Sequence, residues 1–485
     1  MSHQTPPRPP RRAVLAGGAA AALGAAFGLA RPAWAAAAQP DVLVLGAGIA
    51  GLHAARMLQQ AGLKVDVLEG SGRVGGRCWS APQVPGKPEF GAGTVGGGYA
   101  RVRANASELG VPLVPPPAGS REITGAANAA YSVYGRPVSA LPWAQSPLNR
   151  LAPAEAAMAP GHLLAHYLSR DAGLKELDDW LKPGAAWLDR LSLREYFARL
   201  GASAEALRLM DVHAPGASLD EANALHFVRR TVYYGYEARA GRAHRIGGGT
   251  SALTDAMAAS LQRPVQLNRF VRLLRADARG VELRCADGSQ HRARAAISTV
   301  PFAVLKDLRV EGPVPALQRQ AWRAMRSVAV VQVYMTVDRP FWKDDGASAD
   351  LWTDSALERV YHLPSEEHPE GILNAFISGD GVAALPSSDP GEIGRWVVAE
   401  LARMRPASKG HVRVTHVHDW RAVPTARGHI ASYAPGDIGR YEAALQQPVG
   451  RLHFAGDHLG RLHVGLEAAC ESAERAAFAL LEQLG

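Results

Sequence analysis

Residues 41–69 constrain this chain more than any other stretch. Asp41-Val-Leu-Val-Leu45 is an apolar run with the length of a buried strand, and Gly46-Ala-Gly48-Ile-Ala-Gly51 follows directly, opening a helix through residues 52–60. Each glycine at that spacing meets a separate need. Gly46 permits a tight turn, Gly48 lets the backbone approach a pyrophosphate, and Gly51 lets helix and strand pack closely. Residues 62–68 supply a second strand, and Glu69 stands at its end, 18 residues after Gly51, where a carboxylate can accept from ribose hydroxyls. Together these specify an α/β dinucleotide-binding unit whose first helix points its N-terminus at the phosphates.

Arg73-Val-Gly75-Gly76-Arg77 comes next. It resembles the RxGGR signature of the large flavoprotein class that holds amine oxidases, protoporphyrinogen oxidases and phytoene desaturases. The resemblance implies that Arg73, Gly75, Gly76 and Arg77 position the pyrophosphate of FAD, a task that suits guanidinium forks. Members usually carry another arginine two residues past the glutamate, where this chain has Ser71.

Later stretches extend the likeness over nearly the whole chain. Glu89-Phe-Gly-Ala-Gly93-Thr94 looks like the amine-oxidase version of its segment, which places Gly93 and Thr94 at the cofactor. Strands are expected over residues 265–271, 281–285 and 295–300 with an Asp287-Gly288 hairpin turn; in the family the backbone at Val271 meets the adenine. Arg451-Leu-His-Phe-Ala-Gly456-Asp457 resembles the FAGD motif, whose carboxylate meets the ribityl chain. A terminal helix is expected over 466–484; in the family its N-terminus, here at Leu466, points toward the flavin pyrimidine.

The fold implied is a Rossmann-like, glutathione-reductase-type FAD-binding domain with an inserted α+β substrate domain. Residues 36–104, 241–305 and 416–485 are assigned to the first, 105–240 (mostly helical) and 306–415 to the second. Ser192-Leu-Arg-Glu195 and Ser218-Leu-Asp-Glu221 read as capping boxes in the helical insert, and residues 328–337 as a strand opening the other.

Resemblance also nominates the chemistry. Val300-Pro301-Phe-Ala-Val-Leu-Lys306 matches a stretch in which a lysine holds a water against flavin N5, which makes Lys306 the catalytic candidate. Trp420, Ile430 and Gly465 fall at the substrate pocket, the last two where many amine oxidases carry an aromatic pair. By this alignment the cage is absent, and either a bulky substrate or a side chain from the inserted domain, Trp352 or Tyr361, is expected to fill the space. Members with covalent FAD have a cysteine where this chain has His429, so noncovalent FAD is expected, with a histidyl link as the alternative. His416, His418, His453, His458 and His463 are read as ordinary histidines and no metal site is expected.

The first residues are of another kind. Residues 1–40 hold four arginines and no acid, Arg11-Arg12 leads into an Ala/Gly/Leu run over 13–30, and Ala33-Trp34-Ala35 has the small-x-small form of a cleavage site. This resembles a twin-arginine signal, so residues 1–35 are expected to be removed and the mature chain to be periplasmic or secreted, without a membrane span. Removing those four arginines lowers the formal net charge from +8 to +4. No basic run interleaved with aromatics remains, which argues against nucleic acid. Three widely spaced cysteines, Cys78, Cys285 and Cys470, make no disulfide framework.

The reading is an FAD-dependent oxidoreductase acting on the C–N bond of a small amine by hydride transfer to flavin N5 with imine hydrolysis, passing electrons to O2 or a periplasmic acceptor. An amino-acid oxidase, a desaturase and a non-catalytic FAD carrier stand as alternatives.

Overall fold

The computed structural model describes residues 39–116, 129–139, 141–363, 365 and 367–485, and residues 40–485 form one unit. The expected signal sequence and cleavage site lie outside the described residues. Among those described, no helix is long and apolar enough to cross a membrane.

Four short, fully apolar-flanked strands form a parallel sheet in the order Leu452–Phe454, Ala295–Ser298, Val42–Leu45, Val65–Leu68. All three segments assigned to the dinucleotide unit contribute to it. Sequence-distant strands can meet in this way because each is buried on both faces: Val42–Leu45 is a continuous apolar run, while Val65–Leu68 and Leu452–Phe454 each carry one buried polar residue, Asp66 and His453. The helices Ile49–Gln60 and Gly465–Leu484 pack together against this sheet. Their contact face is made of small residues: Ala54 and Ala55 on one helix, Cys470, Ala473 and Ala477 on the other, all buried. Gly51 allows the approach, since a Cβ there would stand 1.9 Å from the Gly46 carbonyl oxygen.

A second, mainly antiparallel sheet holds Val271–Ala276, Val281–Cys285 and Gln290–Ala293, with Arg309–Glu311 added in parallel. The Asp287-Gly288 turn joins two of them as expected, but the first strand starts only at Val271. Residues 266–270 form an irregular link in which Asn268 takes φ +58°, so the alternation over 265–271 is not that of a strand.

Six strands build the third sheet, in the order Val412–Asp419, Val330–Val337, Ile372–Ser378, Arg359–Leu363, Leu351–Thr353, Ala130–Ser132. The boundary expected at 415/416 falls inside its edge strand, because Val412–Asp419 pairs along its length with Val330–Val337. Helices dominate residues 160–240. Ser192 and Glu195 form the reciprocal capping box. Ser218 and Glu221 close only a turn: the helix Ala224–Ala240 is capped instead by Asn223, whose side-chain oxygen accepts from the His226 N–H at 2.9 Å.

Candidate active site

A cavity of about 330 Å³ opens at the C-terminal ends of the parallel strands. Gly46, Gly48, Glu69, Gly75, Gly76 and Arg77 line it from the first segment, Val271 from the second, and Gly456, Asp457, Gly465 and Leu466 from the third. Ile430 and His429 complete one end. The sequence-nominated residues that converge here do so because each sits where a strand or helix of the sheet layer ends.

The glycines leave the space. A Cβ on Gly48 would meet only the Gly75 carbonyl oxygen, at 3.9 Å, and would otherwise stand in the cavity. Glu69 is buried, and its carboxylate accepts from the Ala47 N–H at 2.8 Å on one oxygen and from the Ser71 N–H and hydroxyl, at 2.8 and 2.7 Å, on the other. Ser71, where an arginine is usual, thus serves to fix the glutamate. Arg269 and Arg272 line the cavity in addition.

Farther along, Arg77 pairs with Asp457, one bond measuring 3.2 Å, and donates to the His429 carbonyl at 2.7 Å. Depth inside the protein alone would raise the Asp457 carboxyl, but Arg77 and His458 beside it more than offset this and hold it well below the usual carboxylate range. His429 lines the cavity, and its Nδ1 is buried without a partner. Desolvation, followed by the charge of Arg77, lowers its pKa to about 4, so the ring is neutral.

Several nominated residues lie elsewhere. Arg73 does not reach the wall: it stacks on Trp79 at 3.6 Å and donates to the carbonyls of Val74, Gly76 and Cys78, bracing its own loop. Gly93 and Thr94 are replaced at the cavity by Gly91 and Ala92, with Thr94 exposed. Trp420 is fully buried behind the wall, its indole N–H donating to the Phe90 carbonyl at 3.1 Å and its ring supporting His429 at 5.6 Å. Lys306 ends the short helix Phe302–Leu305 as an exposed side chain outside the lining, whereas Val300, Pro301 and Val304 before it and Asp307 after it line the cavity. The helical twist turns the lysine outward while its neighbours face in.

Neither Trp352 nor Tyr361 replaces the missing cage. Trp352 packs with Tyr131 and His213, and neither it nor Tyr361 lines the cavity. The nearest ring to Gly465 is Tyr99, whose hydroxyl lies 3.2 Å from where a Gly465 Cβ would stand. Gly465 has φ +62°, so any side chain there is also strained.

The other histidines are packed rather than convergent: His416 and His418 stack on Phe90 at 4.8 and 4.2 Å, and His463 bonds Glu471 at 3.0 Å. Among the described residues no cluster could hold a metal ion. Sequence reasoning missed Arg230, which lines the cavity from the helix Ala224–Ala240; an arginine in a helix following apolar residues reads as solvated.

The wall has the length and make-up to receive an elongated dinucleotide: a buried acid at one end, a glycine-lined middle at a helix N-terminus, and a second helix N-terminus at Gly465. Comparison with known proteins agrees. The family model "Flavin containing amine oxidoreductase" matches residues 49–481. A probable flavin-containing monoamine oxidase A of Dictyostelium discoideum is 24% identical over 464 residues, covering 92% of this chain and 98% of that one. An L-amino-acid oxidase of Siganus canaliculatus is 26% identical, covering 90% and 84%. The solved cyclohexylamine oxidase from Brevibacterium oxydans shares the fold, with a TM-score of 0.73 at 24% identity over 92% of this chain and 99% of that one. The chain belongs to the flavin containing amine oxidoreductase family and is an FAD-dependent enzyme.

Proposed function

We propose that the chain oxidises the C–N bond of a small amine, with FAD held without a covalent link in the cavity described above. The observation that carries this is the continuity of one wall from Glu69, past the Arg77–Asp457 pair, to Ile430 and Gly465. We read the parallel sheet with its glycine loop as a Rossmann-like, glutathione-reductase-type unit. Gly46, Gly48, Gly75, Gly76 and Arg77 would hold the pyrophosphate, Glu69 the adenosine ribose, Val271 the adenine, Asp457 the ribityl chain, and the helix start at Gly465-Leu466 the pyrimidine. FAD bound there supplies the hydride acceptor, flavin N5.

The protein's own groups do the rest. Neutral His429 and the self-neutralised Arg77–Asp457 pair add no net charge to this part of the wall, and Arg230 is the cation that lines it. Ile430 excludes water on one side, and water entering afterwards hydrolyses the imine product to a carbonyl compound and ammonia or a smaller amine. Electrons pass to O2 or to a periplasmic acceptor. The exported location rests on residues 1–35 and is tested by N-terminal sequencing of the mature protein, expected to begin near Ala36.

Acid precipitation should release the flavin into the supernatant. Flavin retained in the pellet would overturn the noncovalent reading and implicate His429. Product analysis should find the carbonyl compound and the released ammonia or smaller amine in equal amounts; turnover that leaves the C–N bond intact would overturn the reaction assigned.

A further inference from the structure

A second, small cavity of about 30 Å³ adjoins the first, and the two share Arg230, Ile430, Asp457 and Gly465 in their walls. Its remaining lining includes His226, Arg229 and Tyr433. A space of this size holds about two waters when polar groups face it, and its position past Gly465 puts it at the substrate end.

The polar groups facing it are buried and uncommitted. His226 is 4% exposed, and among the described residues neither of its ring nitrogens has a hydrogen-bond partner. The ring is nonetheless held in place: its own backbone N–H is bonded by Asn223 in the helix cap, and the ring packs on Phe227 at 4.8 Å and Tyr433 at 5.5 Å. Arg229, one turn on, is fixed by stacking on Trp180 at 4.1 Å and by donating Nη1 to the Gly460 and Arg461 carbonyls, yet its Nε is buried without a partner. Burial, then the charges of Arg229 and Arg230, keep His226 neutral, so the ring offers one N–H donor and one bare nitrogen. A water between these groups accepts from Arg229 Nε–H, donates to the bare nitrogen of His226, and keeps a lone pair free. Lys306, the other group nominated to hold a water, is exposed and outside the lining.

We propose that this second cavity is a resident-water site and that His226 is a catalytic residue, the proton carrier when that water hydrolyses the imine product. This assignment rests on the C–N oxidation proposed above. Hydride loss from a neutral amine leaves a cationic iminium. The water oxygen bonds to the iminium carbon while one water proton passes to His226. The imidazolium returns that proton to the substrate nitrogen, and the C–N bond breaks with its electron pair on nitrogen. The remaining hydroxyl proton leaves with the ammonia or amine, and the carbonyl compound stays behind; no electrons change hands. The neighbouring arginine charges that disfavour a proton on His226 make its imidazolium a strong acid toward the departing nitrogen.

Two experiments test this. A crystal structure of the holoenzyme should show an ordered water bonded to Arg229 Nε and to a ring nitrogen of His226; a cavity without solvent overturns the site whatever the substrate. The holoenzyme is then mixed without oxygen with benzylamine or hexylamine, whichever bleaches the flavin faster, and quenched with sodium borodeuteride during the bleaching. The quench converts unhydrolysed imine to deuterated amine and the carbonyl compound to deuterated alcohol. Wild type should give mostly alcohol. His226→Leu should raise the ratio of deuterated amine to alcohol about tenfold or more, with flavin content unchanged, and His226→Gln, which keeps a donor and an acceptor, should recover part of the loss. An unchanged ratio in His226→Leu, or imine dominating in the wild type, overturns the catalytic role. A flavin that neither amine bleaches would sink the reaction proposed for small amines, while the crystal structure still decides the water site.

Discussion

At the Glu69 end of the cavity the glutamate and its loop are held by their own hydrogen bonds and one lining nitrogen, Arg269 Nε, is buried without a partner, whereas around the Gly465 end several buried nitrogens lack one. Glu69 is bonded on both oxygens, and the Gly46 N–H is bonded to the Leu68 carbonyl at 2.8 Å, so the loop that would receive a phosphate is set by the sheet it leaves. At the other end His226, His429 and Arg229 all keep buried nitrogens without partners. One end is preorganised for an invariant ligand, and the other holds polar groups in reserve for water and substrate. Substitutions at the first end should therefore damage cofactor retention and stability, and those at the second should change what becomes of the substrate.

The largest effect is expected at the glycine loop. Gly51→Val would drive a side chain into the Gly46 carbonyl oxygen, destabilising the fold by about 3 kcal/mol or more. The variant should be recovered without flavin, if at all; a yellow protein of wild-type Tm would mean that the helix and strand do not pack as described.

Asp457→Asn comes next. It leaves Arg77 without its partner in a wall where both side chains are about a quarter exposed, so the cost should be about 2 kcal/mol, less than for a fully dry pair. The depressed Asp457 pKa gives a sign as well: its contribution is present above the unfolded carboxylate value, near 3.9, and is lost as pH falls through the lower folded value. Urea titrations should show wild type losing stability over that acid range more steeply than Asp457→Asn. Parallel profiles would place the charge elsewhere.

His429 and His418 titrate in the folded protein at about 4, well below the 6.5 of a free histidine. The unfolded chain takes up protons first as pH falls from 6.5 toward 4, so both rings should make the protein less stable across that window. His429→Asn should flatten the Tm profile there by part of the total; an unchanged slope would mean that the ring is solvated. The smallest effect belongs to Lys306→Met, expected to alter stability by less than about 0.5 kcal/mol and either half-reaction by no more than about twofold. A large loss in reduction or reoxidation would restore the lysine to the site.

The same contrast explains what could be read from sequence. The positions of Gly46, Gly48, Glu69, Val271 and Asp457 at the cavity and of Gly51 behind it were legible because backbone conformation and strand ends decide them, and both follow from spacing along the chain. Arg73, Thr94, Trp420 and Lys306 matched motifs equally well, yet their side chains point away from the cavity. A motif gives the position of a Cα but not the direction of a long side chain, which depends on packing: Trp79 captures Arg73, and the Phe90 carbonyl captures Trp420. The boundary at 415/416 failed for a related reason, since pairing with Val330–Val337 carries a strand through it. Arg230 escaped notice because its place in the wall is set by Gly465 and Ile430, more than 190 residues away in sequence.

The central claim, that this cavity joins a cofactor end to an end that oxidises a C–N bond, is tested most directly by mixing the holoenzyme without oxygen against a panel of amines and amino acids while recording the flavin spectrum. The account predicts bleaching by at least one C–N substrate, recovered on adding O2 or another acceptor. A flavin that dithionite reduces but no amine or amino acid bleaches would contradict it.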